Sequence, residues 1–289
     1  MGFKLLSDFD GVWTDQATEA EAVRAAFVAA VAGLQARPVV DVDAEFAAFL
    51  AAALADPSDH GWAPGGELTA FVDEDPLLAT ASVAGWLDRG GRLPGADGWR
   101  AALRAAGHPS ATALANTSFG PATARHRQEG GHRLVPGARA VAAALRERGV
   151  ELVIVSNSLP DKLVHLFADA GIDPERDLRI IGDAGKWRLG DGRDLVQIGE
   201  RHVRLDRPQY RRVLEQERPD LVVGDVLSLD LALPSMLRFI GALDPALKLV
   251  LRRHAHTPPW TLAARSAGVF DHVIDGVHEL TDLVDLARS

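Results

Sequence analysis

The spacing of apolar and polar residues changes twice along the chain, at about residue 18 and again at about residue 130. Residues 3–7 (FKLLS) form a short apolar run that ends in DFDG, which predicts a buried strand followed by a tight turn. Between the two changes, apolar residues recur at helical spacing, and no convincing strand-like run occurs. The helices predicted in this stretch cover residues 19–36, 44–55, 67–72, 76–89 and 97–106.

After the glycine pair at 130–131, predicted helices and strands alternate. The helices cover 137–148, 159–170, 208–217, 228–238 and 260–267, and the strands cover 150–155, 178–182, 220–223, 247–251 and 270–274. This alternation is typical of a parallel sheet with helices on both faces, where sites form at the carboxyl ends of strands. Segment 186–205, with an Asp-Gly turn at 191–192, is predicted to be an inserted hairpin. We therefore predict an α/β protein, with a Rossmann-like parallel sheet core from 1–16 and 134–289 and an all-helical domain at 17–133.

Composition narrows the classes of function that this fold could serve. The 289 residues carry a formal net charge of -9, which disfavours binding to nucleic acid or to anionic membranes, although a local basic pocket for small anions stays open. The chain has no cysteine, so neither disulfides nor thiolate metal sites are possible. It shows no signal-peptide pattern and no apolar run near the ~20 residues of a membrane span. We expect a soluble cytoplasmic protein.

Polar side chains follow three of the predicted strands at the point where each strand ends. The residues in these positions are Asp8, Asp10, Ser156, Asn157, Asp225 and, slightly further on, Asp230. Carboxylates gathered at one sheet edge repel one another unless a cation neutralises them, and oxygen ligands without thiolates favour Mg²⁺. A metal ion beside a nucleophilic carboxylate is suited to phosphoryl transfer through an aspartyl-phosphate.

Each of these residues also has a purely structural explanation. Asp-x-Asp-Gly suits a turn, Ser156 and Asn157 could cap the next helix, and Asp225 could be a cap as well. Asp230 could be a solvated helix residue. Three independent coincidences at strand ends, in the right order, would be needed for all of these explanations to hold together. The combination therefore favours a functional site.

Three motifs resemble those of the haloacid dehalogenase-like superfamily. DFDGVWTD at 8–15 resembles its first motif, VIVSNS at 153–158 its second, and VVGDVLSLD at 222–230 its fourth. The resemblance implies a phosphatase acting on a small phosphorylated metabolite, with Asp8 attacking phosphorus. Asp10 would protonate the leaving oxygen and then activate water, while Ser156, with its neighbour Asn157, would bind the phosphoryl group.

The resemblance also implies a Mg²⁺ site and a cationic partner for Asp8. Asp8, the backbone carbonyl of Asp10 and Asp225 would bind the metal, with Asp230 acting through water or as an orienting group. The cation could be Lys186, which follows the predicted strand 178–182. It could also be Arg207, at the start of RPQYRRVL, where an arginine would present a more rigid fork. We favour Lys186 because the chain contains only four lysines.

The insert at 17–133 occupies the place of the superfamily's helical C1 cap, a domain that closes over the site and excludes water. Its candidate substrate contacts lie just before the return to the core, although we favour a solvated hinge with ordinary charges as their explanation. These residues are Arg125, His126, Arg127, His132 and Arg133. Trp62, Trp86 and Trp99 are expected to build the core of the insert. His254 and His256 are interpreted as loop residues, because no third metal ligand lies nearby in sequence.

Several other activities of the superfamily are less compatible with the sequence. Dehalogenases lack an aspartate at the position of Asp10, since a halide leaving group needs no proton. Phosphonatases need a cap lysine, and residues 16–135 contain none. A phosphotransferase or phosphomutase stays open, as does a binding or regulatory protein that keeps the fold without turnover. The sequence predicts neither the particular substrate nor the oligomeric state.

Overall fold

The chain folds into two units, and the first of them is discontinuous in sequence. The first unit combines the segment up to Asp15 with the segment from Arg133 onward, and the second comprises Gln16–His132. These units come from a computed structural model, which describes residues 2–288. No helix in this range is both long enough and apolar enough to cross a membrane.

The strands are β1 (Phe3–Ser7), β2 (Gly61–Trp62), β3 (Ala70–Phe71), β4 (Val150–Val155), β5 (Arg179–Ile181), β6 (Leu195–Ile198), β7 (Arg201–Arg204), β8 (Leu221–Gly224), β9 (Lys248–Arg252) and β10 (His272–Ile274). The helices are α1 (Ala17–Gln35), α2 (Val39–Ala55), α3 (Leu78–Asp88), α4 (Ala96–Ala105), α5 (Ala111–Gln128), α6 (Ala138–Glu147), α7 (Pro160–Asp169), α8 (Pro208–Glu217), α9 (Ala232–Phe239), α10 (Pro259–Ala263) and α11 (Leu280–Arg288).

Six strands of the first unit form one parallel sheet in the order β10-β9-β8-β1-β4-β5. Its central strands consist of apolar, often β-branched residues, as expected for strands that are covered on both faces. The fold class is therefore the predicted α/β Rossmann-like core with surrounding helices. Strand β1 lies in the middle of the sheet, between β8 and β4, so the segment after it is surrounded by other strand ends.

Aromatic residues hold the segment after β1 in place. The ring of Phe167 on α7 packs edge-on against Phe9 at 5.3 Å and against Trp13 at 6.1 Å between centroids. The indole N–H of Trp13 donates to Oγ of Ser7 at 2.8 Å, and the backbone N–H of Val135 donates to the carbonyl of Trp13 at 2.8 Å. The predicted turn after β1 is thus packed against the core on both sides.

The second unit has its own apolar core, built mainly by helices α1–α5. Trp99 and Trp86 lie in this core as expected, whereas Trp62 is half-buried in a short antiparallel pairing of β2 with β3. The helix predicted over 67–72 is wrong, because β3 occupies residues 70–71. Helix α5 is present although it was not predicted from the apolar pattern. Its N-terminus is capped by Ser110 Oγ, which accepts from the N–H of Ala113 at 3.0 Å.

The predicted hairpin is present, but its turn lies elsewhere. Strands β6 and β7 pair from Leu195–Arg204 to Ile198–Arg201, so the connecting residues are Gly199 and Glu200. The glycine of the Asp-Gly pair at 191–192 instead donates its backbone N–H to the carboxylate of Asp206. That pair therefore closes a separate loop ahead of the hairpin.

Candidate active site

The carboxyl ends of β1, β4 and β8 are adjacent, because β1 lies between the other two strands. Asp8 follows β1, Ser156 follows β4 and Asp225 follows β8, each directly. The backbone N–H of Asp8 extends the sheet by donating to the carbonyl of Val223 at 2.9 Å. The order of the strands thus brings these three loops to one edge.

Three carboxylates converge at this edge. Asp8, Asp225 and Asp230 each offer an oxygen atom, and these atoms lie within 4.8 Å of one another. Asp225 and Asp230 are buried, and Asp8 is half-buried. Carboxylates at this separation and burial repel one another unless positive charge is supplied.

Gly11 makes room for one of these carboxylates. Its φ is +80°, in the left-handed region, and a Cβ built on it would lie 1.9 Å from Oδ2 of Asp225. Any other residue would collide with the carboxylate as well as strain the backbone. The Asp-x-Asp-Gly pattern therefore has a specific reason here, which is to let the turn after β1 pack directly against Asp225.

Asp230 is held in place by both its carboxylate oxygens. It lies in a single π-helical segment, Leu227–Leu231, that precedes α9. Its Oδ2 accepts from the N–H of Val226 at 3.0 Å, and its Oδ1 accepts from Nζ of Lys186 at 2.9 Å. The hydroxyl of Tyr210 donates to its backbone carbonyl at 3.0 Å. A π-helical segment is common at functional sites, where it reorients side chains.

Lys186 is the cation that contacts Asp8 in this cluster. Its Nζ lies 2.5 Å from Oδ1 of Asp8 and 2.9 Å from Oδ1 of Asp230, with 2% of its side chain exposed. Burial alone would lower the pKa of this ammonium, but the charges of Asp230 and Asp8 outweigh that effect and raise the pKa above its ordinary value. Lys186 therefore stays positively charged at neutral pH.

The second candidate cation, Arg207, contacts the backbone. It is fully buried, and its guanidinium donates to the carbonyls of Lys186 and Arg204. Asn157, which was expected to bind substrate, accepts the backbone N–H of Lys186 at 2.9 Å through its Oδ1. Arg207 and Asn157 thus fix the backbone on either side of Lys186, and Lys186 itself reaches Asp8.

The carboxylate of Asp10 is surrounded by residues that follow β4. Its Oδ2 accepts from Oγ of Ser158 at 2.9 Å and from Oγ of Ser156 at 3.3 Å. Nζ of Lys162 lies 3.5 Å from Oδ1. Sequence reasoning identified Ser156 but missed Ser158 and Lys162. Their position just after a strand, with Lys162 in the first turn of α7, was an available signal.

His254 also lies at this edge, although the sequence indicated an ordinary loop residue. Its Nε2 is 3.6 Å from Oδ2 of Asp225. Burial lowers the pKa of His254 to about 4, with further lowering from Arg252 and His256, while a hydrogen bond to the backbone of Gly11 and the charge of Asp15 act in the opposite direction. The imidazole is therefore neutral at pH 7. A missed signal was the position of this histidine two residues after strand β9, beside β8.

The charges of the cluster suit a hard divalent cation. Burial raises the pKa of Asp8 to about 8; Lys186 opposes this shift, while Asp230 and Asp10 add to it. At neutral pH Asp8 therefore loses its proton only when further positive charge is supplied, because Lys186 alone does not outweigh burial and the neighbouring carboxylates. A bound cation would supply that charge, and a donor set made of carboxylate oxygens matches the ligands that Mg²⁺ prefers.

Two of the candidates for substrate contact have polar partners within the insert. His132 is buried, and its Nδ1 lies 3.2 Å from Oε2 of Glu19. Nε2 of His126 lies 3.4 Å from the hydroxyl of Thr18. Arg125 and Arg127 lie in the last turn of α5 with His126. At least the two histidines therefore have structural partners in the insert.

Comparison with known proteins places the chain in a family. The model of the haloacid dehalogenase-like hydrolases matches residues 5–192, which is more than half of the chain. Among curated proteins, none matches the sequence.

Solved structures with low sequence identity resemble the chain over nearly its full length. A HAD family hydrolase from Deinococcus radiodurans R1, with bound phosphate and sodium, has 17% identity, covers 99% of this chain and 97% of its own, and has a TM-score of 0.48. YfnB from Bacillus subtilis, assigned as a HAD-hydrolase and bound to magnesium, has 16% identity, coverage of 98% and 99%, and a TM-score of 0.45. A HAD phosphatase from Thermococcus onnurineus has 14% identity, coverage of 98% for both chains, and a TM-score of 0.44.

Proposed function

The chain belongs to the haloacid dehalogenase-like hydrolases, and we propose that it is a phosphatase that hydrolyses a small phosphomonoester through an aspartyl-phosphate on Asp8. The observation that carries the proposal is the buried contact of 2.5 Å between Nζ of Lys186 and Oδ1 of Asp8, beside two further carboxylates. An ammonium in this position can hold Asp8 and attract the phosphate dianion, so that a carboxylate can approach an anionic substrate.

Mg²⁺ is the metal we propose for the carboxylate cluster. Asp8, Asp225 and the backbone carbonyl of Asp10 would bind it, and when bound it would neutralise charge on the phosphoryl group. Asp230 already accepts from Lys186 and from the N–H of Val226. We therefore assign Asp230 the orienting role, in which it holds the ammonium of Lys186 against Asp8.

Asp10 would act as the acid and the base. In the first step Oδ1 of Asp8 attacks phosphorus while Asp10 gives its proton to the leaving oxygen. In the second step Asp10 takes a proton from a water molecule whose oxygen attacks phosphorus. The bond between phosphorus and the Asp8 oxygen breaks, so inorganic phosphate leaves and the Asp8 carboxylate is regenerated. Ser156 and Ser158 contact the Asp10 carboxylate at 3.3 and 2.9 Å and would keep it in one orientation.

The remaining parts of the proposal concern the surroundings of this site. We propose that the unit Gln16–His132 serves as the helical cap that the family places between its first and second motifs. We also propose a small phosphorylated metabolite as substrate, because a net charge of -9 disfavours nucleic acid and anionic membranes as partners. We propose the cytoplasm as compartment, because a chain without cysteine is compatible with reducing conditions.

The test compares the wild-type protein with Asp8→Asn. Wild type should release phosphate from p-nitrophenyl phosphate in the presence of Mg²⁺ and lose this activity in a chelator. Asp8→Asn keeps the shape of the side chain but removes the nucleophile, so turnover should disappear. Mass spectrometry of acid-quenched wild type should detect one added phosphoryl group that the variant lacks.

Three outcomes would contradict the proposal in different ways. Equal activity in wild type and Asp8→Asn would remove Asp8 as nucleophile. Transfer of the phosphoryl group to an added sugar hydroxyl in preference to water would identify a phosphotransferase or mutase. Failure of wild type to turn over any phosphomonoester in a metabolite screen would favour a binding protein that keeps the fold.

A further inference from the structure

His254 lies against Asp225, although the two residues are 29 positions apart in the sequence. Strand β9 lies next to β8, so the segment that follows β9 opens on the same edge as Asp225. Nε2 of His254 lies 3.6 Å from Oδ2 of Asp225, with 16% of the histidine side chain and 1% of the aspartate side chain exposed. An imidazole nitrogen thus faces a buried carboxylate.

The loop that carries His254 is fixed by its own hydrogen bonds. The backbone N–H of His254 donates to Oγ1 of Thr257 at 2.8 Å, and the N–H of Thr257 donates to the carbonyl of His254 at 3.2 Å. The ring stacks on His256, with centroids 4.9 Å apart and an angle of 7° between planes. Arg253 is anchored to Asp275 by two contacts of 2.7 and 2.8 Å. The direction of the imidazole is therefore set by the turn.

The carboxylate of Asp225 is confined on two sides. On one side Oδ2 lies against the backbone of Gly11, at 1.9 Å from the position that a Cβ would occupy there. The imidazole of His254 faces the same oxygen from its own loop. An N–H donated to Oδ2 would fix the rotation of the carboxylate and leave Oδ1 for a cation.

We propose that His254 is a positioning residue, whose Nε2–H holds Oδ2 of Asp225 so that the carboxylate is oriented for the divalent cation. This inference rests on the proposed function, because it assigns Asp225 to the metal. The separation of 3.6 Å is longer than a hydrogen bond, and we expect it to shorten when Asp225 engages the cation. A group that orients a metal ligand is typically worth about 10–100-fold in metal affinity.

The experiment measures binding of Mn²⁺, as a stand-in for Mg²⁺, by equilibrium dialysis and by the loss of the free-ion electron paramagnetic resonance signal. His254→Ala should raise the Kd for Mn²⁺ by about 10–100-fold. His254→Gln places an amide N–H near the position of Nε2 and should recover most of that loss, whereas His254→Asn places it near Nδ1 and should not. His202→Ala, at an exposed histidine on β7, is the control, and its Kd should stay close to that of wild type.

Each outcome distinguishes the inference from the function on which it rests. If wild type binds Mn²⁺ and His254→Ala binds it equally well, the inference is overturned while the proposed function stands. Equal losses in His254→Gln and His254→Asn would also overturn it, and this comparison does not depend on the alanine variant being folded. A wild-type protein that binds no divalent cation would overturn both. Circular dichroism of the metal-free proteins identifies any variant that has lost its fold.

Discussion

Lys186 places one buried positive charge between Asp8 and Asp230. We expect Lys186→Met to abolish turnover and to lower the free energy of unfolding by about 3–5 kcal/mol, because two buried carboxylates lose their shared cation. Denaturant titration and phosphate release measure the two effects. The double variant Lys186→Met with Asp230→Asn should recover part of the stability and none of the activity.

A lysine elsewhere serves as the control for that prediction. Lys248 on β9 is half-buried and lies outside the carboxylate cluster. Lys248→Met should change the free energy of unfolding by less than about 1 kcal/mol and leave turnover unchanged. If Lys186→Met behaves like Lys248→Met in both measurements, Lys186 is neither a catalytic nor a structural cation.

The direction of side chains is what the sequence could not predict at this scale. Lys186 and Arg207 both precede the last motif, and both are long and basic. What separates them is that the guanidinium of Arg207 meets backbone carbonyls while the ammonium of Lys186 meets Asp8. The proximity of His254 to Asp225 was not predicted for a similar reason, since Asp225 follows another strand. Contacts between distant segments depend on strand order, which spacing along one chain does not give.

Helix α6 is tied to the turn between α7 and β5 by Asp177. Its Oδ1 accepts from Nη1 of Arg146 at 2.5 Å, and both its oxygens accept from Arg176 at 2.8 Å. The hydrogen bond from Arg176 holds the pKa of Asp177 well below its usual range, despite burial acting in the opposite direction; the backbone N–H of Asp173 and the contact with Arg146 lower it further. The folded protein thus binds fewer protons at this carboxyl than the unfolded chain does.

The sign of the pH dependence follows from that lowered pKa. The stabilisation by Asp177 should be fully present above the unfolded pKa of about 3.9 and should be lost as pH falls below it. We expect Asp177→Asn to cost about 1–3 kcal/mol of unfolding free energy at pH 7, and the difference from wild type to shrink below about pH 4. Urea titrations at several pH values measure this difference.

An exposed ion pair provides the comparison for Asp177. The carboxylate of Asp97 is fully exposed and contacts Arg100 at 2.7 Å. Asp97→Asn should leave the unfolding free energy nearly unchanged at every pH, because water screens such a pair. A constant offset between Asp177→Asn and wild type down to about pH 2 would show that the carboxylate charge of Asp177 does not contribute.

Secondary-structure elements were predicted best where the pattern of apolar residues is clear along the whole element. The strands of the core are short apolar runs between turn residues, and their predicted positions agree closely with β4, β8 and β9. Helix α5 was missed because Pro121 lies inside it and its apolar residues do not form a regular stripe. The pairing of β2 with β3 involves only two residues on each side, too few for an alternating pattern to be visible.

Each of the two units contains an apolar core, and the carboxylate cluster of the candidate site belongs to the first unit. Asp8, Asp225 and Asp230 all come from the first unit, although Asp8 precedes the second unit in sequence and the others follow it. A cation bound by these residues would therefore stabilise the first unit directly.

Calorimetry can detect whether a bound cation stabilises the first unit and not the second. We expect unfolding in more than one transition, because each unit buries its own core. Mg²⁺ at 100 times the Kd should raise the free energy of unfolding of the first unit by about 2.7 kcal/mol, and so raise the temperature of that transition alone. Chelation of the Mg²⁺ should reverse the effect. Asp225→Asn removes a proposed ligand and should abolish the response. An equal shift of all transitions in wild type and in Asp225→Asn would show that Mg²⁺ acts outside the carboxylate cluster, which would contradict its assignment to these residues.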